Sequence, residues 1–401
     1  MLWQPSLPER YEKMSSDALS AAISDRRERL GDRLVILGHH YQTDAVIRHA
    51  DLTGDSLKLS QAAADVVRER GASFVVFCGV HFMAETADML TPDAVEVILP
   101  DLSAGCSMAD MADYDQTVEA WDAIEGSLRR GGWTGKLVPI TYVNSTAAIK
   151  AFVGDHGGAC CTSSNADAVF AWAMGQGDDV KILFLPDQHL GRNTAAKYGL
   201  DVETETCVYD PKLAQVGEPF GGALEEELAR ARVILWAGHC SVHKLFRAEH
   251  ATEIHRANAG LAPGVEPVRI LVHPECAKEV VDLADLAGST EFIINTVRAS
   301  APGSRWAIGT EHNLVGRLRS EGVKRGVEVR TLSDCQCLCT TMYRIDEPHL
   351  LWVLDGLCGI GVDGPVVRNR IRVDAEVRRS ALVALERMLS LTGAGVSGVQ
   401  V

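Results

Sequence analysis

VEVILPDLSAGCSMAD, residues 95–110, decides how the chain is read. An apolar, β-branched run ends at Pro100, a short turn passes through Gly105, and Cys106 stands at its exit. ARVILWAGHCSVH (231–243) repeats the pattern with Cys240, and VEVRTLSDCQCLCTTM (327–342) repeats it with Cys335, Cys337 and Cys339. In each, a strand-like run delivers a thiol to the mouth of a loop.

Working outward, the same kind of run recurs at RLVILG (33–38), SFVVFCG (73–79), KLVPITYV (136–143), VKILFLP (180–186), PVRILVHP (267–274) and RWAIGT (305–310). Ala-rich stretches such as SLKLSQAAADVVRERG (56–71) and SNADAVFAWAMGQG (164–177) lie between them. Near-continuous apolar strands alternating with helices indicate parallel sheets covered on both faces, so the expected class is α/β. The spacing of the cysteine-bearing exits suggests three similar α/β/α units with short parallel sheets: 20–108 with 340–392 packing back on it, 109–240, and 241–339. EGSLRRGGWTG (125–135) reads as a surface connection. No GxGxxG follows the first strand and no GxxxxGK[ST] occurs, so common nucleotide-binding devices are not supported.

At 401 residues the chain is long for one core. A net charge of −15 argues against nucleic acid as a partner, since a phosphate backbone calls for a basic face. An anionic ligand must therefore be held by local groups. No apolar stretch is long enough to span a bilayer, and MLWQPSLPERYEKMSSD does not read as a signal peptide, so a cytoplasmic protein without a membrane partner is expected. In that setting eleven cysteines, an odd number, point to metal or redox use of a clustered subset. Cys160, Cys161 and Cys276 read as core thiols.

Four hydroxyl-bearing turns open helices: GDSLKLS (54–60), NSTAAIKA (144–151), TSSNADAV (162–169) and GSTEFIIN (288–295). Each can cap the free N–H groups of a first turn or hold an anion there.

Taken in order, GHHYQTDAVIRHADLTGDSLKLS, GVHFMAETADML, PDLSAGCSMADM, TYVNSTAAIKA, CTSSNA, FLPDQHLGRNTA, WAGHCSVH, VHPEC and GSTEFII resemble the quinolinate synthase family, from about residue 33 to residue 345. The resemblance implies one [4Fe–4S] cluster per chain, held by three cysteines at the central junction of three α/β/α domains around a pseudo-threefold axis. It implies condensation of iminoaspartate with dihydroxyacetone phosphate to quinolinate, phosphate and two waters. It also implies functional coupling to an iminoaspartate-producing enzyme, an L-aspartate oxidase or dehydrogenase. Motif by motif, Cys106 and Cys240 fall on cluster ligands, and CTTMYRI selects Cys339 for the third, with Cys335 and Cys337 open as substitutes or as a redox pair.

The resemblance also carries over His39 and Tyr41 of HHY, Ser56 of GDS, Tyr142 and Asn144 of YVN, and Ser163 of TSSN, with Ser164 open in its place. His243 of CSVH, His273 and Glu275 of HPE, and Ser289 and Thr290 of GST complete the set. Glu275 and Tyr41 suit proton transfer because burial can retune both, while His39, His243 and His273 suit hydrogen bonding to carboxylate, phosphate or a developing oxyanion. His81, Glu85, Asp101, Asp187, Gln188 and Glu311 read as support, and His189 and Arg192 as further charge-neutralising groups. The competing readings are another cluster-dependent hydro-lyase, a zinc-binding or redox-sensing protein built on CQCLC, and an inactive member of the same fold.

Overall fold

The computed structural model describes residues 4–334 and 337–392. Fourteen strands form three sheets among these residues. The first contains β1 (Leu34–His39), β2 (Leu52–Gly54), β3 (Phe74–Cys78) and β4 (Glu96–Ile98). The second contains β5 (Lys136–Tyr142), β6 (Ala159–Cys161), β7 (Val180–Leu185), β8 (Thr206–Tyr209) and β9 (Val233–Trp236). The third contains β10 (Val268–Val272), β11 (Leu286–Ala287), β12 (Arg305–Gly309) and β13 (Glu328–Thr331), and β14 (Arg370–Ile371) returns to the first.

The strand orders are β14-β4-β3-β1-β2, β6-β5-β7-β9-β8 and β11-β10-β12-β13. Every pair is parallel except β14 with β4. The class is α/β with short parallel sheets, as the apolar runs indicate. β1 and β7 are buried along their whole length, which is why they read as unbroken apolar runs. EGSLRRGGWTG is only partly a connection: the helix Tyr114–Arg130 runs through its first half, because Trp121, Ile124 and Leu128 recur at helical spacing and are buried.

By contacts the chain divides into two compact units. One holds residues up to Cys106 with 312–314 and 338–374, and the other holds 107–311, 315–337 and the chain from Ala375. In the first, the helix Glu347–Leu357 packs on the helix Ser16–Leu30. In the second, the helix Ala375–Thr392 packs on the helix Ala147–Asp155 and on β6. That contact is close enough to require glycine: a Cβ on Gly154 would sit 2.0 Å from the Ser380 carbonyl oxygen. Gly154→Val is expected to lower stability by about 1–3 kcal/mol, visible as a drop of several degrees in melting temperature. An unchanged melting temperature would show that the two helices part without cost.

Candidate active site

In the second unit, the functional side chains leave the carboxyl ends of the strands, where α/β proteins bind ligands. Tyr142 ends β5, Asp187 follows β7, Cys240 and His243 follow β9, His273 and Glu275 follow β10, and Thr310 follows β12. Glu275 is the hub. The Tyr142 hydroxyl donates to its Oε1 at 2.7 Å, and His243 Nδ1 donates to its Oε2 at 3.0 Å. His243 Nε2 then accepts from the Thr310 hydroxyl at 3.2 Å. His273 stacks on His243 with ring centres 4.6 Å apart, and its Nδ1 accepts the Glu275 backbone N–H at 3.3 Å.

His243, His273 and Glu275 are 1%, 2% and 3% exposed, so the cluster is shielded from bulk solvent. Burial opposes the Glu275 carboxylate, yet His243, His273 and its hydrogen bonds hold its pKa down at about 2. Burial, with His243 beside it, lowers His273 to about 3 in spite of Glu275. Near neutral pH the hub is thus a carboxylate beside a neutral His273 whose Nδ1 is occupied, which leaves Nε2–H as its donor. Burial and the charge of Glu275 push Asp187 well above the usual carboxylate range, against the hydrogen bonds from the His189 and Leu190 amides. Cys240 Sγ, a His243 nitrogen and a Glu275 oxygen all lie within 4.8 Å of one another. A metal centre held at Cys240 would therefore stand against this cluster.

Asn144 follows Tyr142, and its buried Oδ1 has no hydrogen-bond partner. Ser163 lines a cleft of about 420 Å³ together with Asn193, Pro274 and Gly288, the residue before Ser289. Ser164 is exposed, and its hydroxyl is 2.8 Å from that of Thr162. The Ser289 hydroxyl caps its helix through the Phe292 N–H at 3.3 Å, and Thr290 beside it is buried.

In the first unit, His39 ends β1 and is buried. Its Nδ1 accepts the Tyr41 backbone N–H at 3.1 Å, and the Tyr41 ring meets it edge-on at 4.8 Å. Ser56 is the first residue of the helix Ser56–Arg70, but the cap is Asp55, whose side chain accepts from the Lys58 N–H.

Two cysteine-bearing segments are tied together in this unit. The buried Asp101 accepts the Ser103 N–H through Oδ1 at 2.8 Å, in the turn before Cys106. Through Oδ2 it accepts Arg344 Nε at 3.1 Å, five residues after Cys339. Gln42, after β1, donates to the Met342 carbonyl at 3.0 Å.

Burial sorts the described thiols. Cys78, Cys160, Cys161, Cys207, Cys276 and Cys337 are buried, while Cys106, Cys240, Cys339 and Cys358 are half-buried. Burial pushes Cys78, Cys160 and Cys207 up to about 12 and raises Cys161 and Cys276. A cluster ligand must be a thiolate within reach of iron, so these are poor donors. Cys337 is fully buried, 3.8 Å from the Ser333 hydroxyl, which favours Cys339 over it. Cys335 lies outside the described residues. Cys358 is the C-cap of the helix Glu347–Leu357 and follows a helix, not a strand. Cys106, Cys240 and Cys339 are each half-buried on a loop that follows a strand, so each has the access that a thiolate ligand requires.

An acid–base cluster at strand ends, with accessible thiols at further strand exits, defines an α/β enzyme. A family model described as Quinolinate synthetase A protein matches residues 21–390. The chain is 50% identical over 385 residues to the quinolinate synthase of Geobacillus kaustophilus, covering 96% of each. It is 51% identical over 384 residues to that of a Nocardioides species, covering 94% of this chain and 91% of the relative. For that of Rhodopirellula baltica the identity is 47% over 391 residues, covering 95% and 93%. The chain belongs to the quinolinate synthetase A family.

Two parts of the site were beyond sequence reading. Thr310 holds His243, and its only signal was a hydroxyl at a strand exit. Asp101 reads as generic support, yet it joins the segments of Cys106 and Cys339. Asp101→Ala is expected to leave the protein folded but reduce bound iron per chain several-fold, measured on protein prepared without oxygen. Wild-type iron content would show that the tie does not position the thiols.

Proposed function

We propose that the chain is a quinolinate synthase that condenses iminoaspartate with dihydroxyacetone phosphate to quinolinate, phosphate and two waters. The observation that carries this reading is the buried Tyr142–Glu275–His243–Thr310 chain beside Cys240. Cys106, Cys240 and Cys339 would hold one [4Fe–4S] cluster, and because three thiolates leave one iron open, the group would supply Lewis acidity for the dehydration. Three α/β/α domains, 20–108, 109–240 and 241–339, are arranged about a pseudo-threefold axis; of the segment expected to return to the first domain, only 340–374 does so, and the helix Ala375–Thr392 packs on the second.

Glu275, kept ionised by Tyr142 and His243, takes the proton that tautomerisation and imine formation release. Tyr142, hydrogen-bonded to Oε1 of that carboxylate, returns a proton. Tyr41 serves proton transfer from the first unit, beside His39 and Ser56, which bind substrate. His273 offers its Nε2–H to a carboxylate or developing oxyanion, and His243 holds Glu275 in place. The unpartnered Asn144 oxygen is the acceptor for a substrate N–H or O–H, because leaving it buried and unsatisfied costs about 1–3 kcal/mol. Ser163, from the cleft it shares with Gly288, reaches the same substrate, and Ser289 and Thr290 offer hydroxyls to an anionic group of the substrates, phosphate or carboxylate, at a helix N-terminus. The protein acts in the cytoplasm, supplied by an enzyme that makes iminoaspartate. No described helix is long and apolar enough to cross a membrane.

The test is anaerobic assay of quinolinate formation from dihydroxyacetone phosphate and iminoaspartate generated in place. Wild type is expected to turn over. Cys106→Ser, Cys240→Ser and Cys339→Ser are each expected to lose brown colour and activity together. Active, iron-replete cysteine variants would overturn the ligand assignment. Glu275→Gln is expected to keep its iron and lose roughly 100-fold or more in kcat, in line with removal of a general base. Unchanged kcat would remove Glu275 from the proton path.

A further inference from the structure

DQHLGRN (187–193) contributes no group to the mechanism above, yet the structure builds it into the site. The helix Gln188–Tyr198 starts where β7 ends, capped by Asp187 through the His189 and Leu190 N–H groups. The Gln188 N–H donates to the Gly238 carbonyl at 3.0 Å, and Asp187 bridges Gly238, so the helix start is strapped to the loop bearing Cys240. Asn193 Nδ2 donates to the carbonyls of Pro274 and Cys276 at 2.8 and 2.9 Å, clamping the turn that carries Glu275. The helix is therefore fixed against both halves of the acid–base site.

His189 and Arg192, three apart, lie on one helical face, and neither has its polar groups satisfied. His189 Nδ1 is buried without a hydrogen-bond partner. Arg192 is half-buried and makes no hydrogen bond or ion pair among the described residues. Glu203, Glu279 and Asp187 lie in its field, but none reaches ion-pair distance. Lys244, one turn after Cys240, places Nζ 3.3 Å from His239 Nε2 and contributes to the same field. Burial, then the charge of Arg192, lowers His189 to about 4, so the ring is neutral and able to donate one N–H. A partly desolvated guanidinium without an acidic partner is costly, and in a chain of net charge −15 acidic partners are plentiful. The arrangement makes sense if an anion completes it.

We propose that Arg192 and His189, with Lys244 at the rim, form a binding site beside the Cys240 loop for one carboxylate or phosphate group of the anionic substrates. This rests on the function proposed above, which supplies one dicarboxylate and one phosphate ester. Arg192 gives the planar fork that binds either group bidentately.

The test measures binding of inorganic phosphate and of malonate to the cluster-loaded enzyme by calorimetry, for wild type, Arg192→Gln and Lys244→Gln. One anion is expected to bind wild type and to weaken roughly 10- to 100-fold in Arg192→Gln, the loss of a charge-assisted hydrogen bond. The exposed Lys244→Gln is expected to weaken it only a few-fold, and the anion affected identifies the group. The KM of the matching substrate rises by a similar factor in Arg192→Gln, with a smaller change in kcat and with iron content unaltered. No binding of either anion, or equal affinity in wild type and Arg192→Gln, overturns the site. Arg192-dependent anion binding in an enzyme that makes no quinolinate leaves the site standing and defeats the proposed function. Quinolinate synthesis with unchanged KM values does the reverse.

Discussion

A buried carboxylate constrains everything around it. Glu275 is 3% exposed, and an ion so placed is tolerable only with donors and compensating groups in fixed positions. Tyr142 from β5, His243 from β9 and the Thr310 hydroxyl from β12 provide them, and the histidines stack to close the space. These groups come from two different sheets of one unit, so each sheet must hold its register for the carboxylate to stay paired. Removing one partner leaves a desolvated charge, typically costing about 3–5 kcal/mol, several times the value of an exposed pair. The strand ends of this unit are correspondingly well buried.

The cysteines follow a complementary rule. A core thiol is stabilised by burial and made inert by it, whereas a metal ligand must ionise and be reached. Strand interiors and helix-covered positions hold the first kind, as at Cys78 and Cys160, and the loops after β4 and β9 hold the half-buried Cys106 and Cys240, which have the access that the second kind needs. Cys337 and Cys339 are only two residues apart yet fall on opposite sides of this division. Exposure sets one thiol apart where chain position alone does not.

The central strands were legible because they are buried on both faces and read as apolar runs. The strands that escaped reading, β2, β6, β8, β11 and β14, all lie at sheet edges. An edge strand of two to four residues carries too little apolar pattern to stand out from a loop. Residue types at the site were legible through chemistry and family resemblance, but their partners were not. Tyr142 reads as a substrate-binding residue, and only three-dimensional proximity shows its hydroxyl on Glu275, 133 positions away. The hydroxyl turns divide in the same way. Thr146 and Ser289 cap their helices, Asp55 takes that role from Ser56, and Asn165 turns back to the Thr162 N–H.

The proposed chemistry depends on three widely separated thiols serving one iron–sulfur centre. The most direct measurement is iron and acid-labile sulfide per chain, on protein purified and reconstituted without oxygen. About four of each are expected, with the yellow-brown absorption of a cubane cluster. Zinc in place of iron, or no metal retained after reconstitution, would contradict this expectation and leave Cys106, Cys240 and Cys339 without a common purpose.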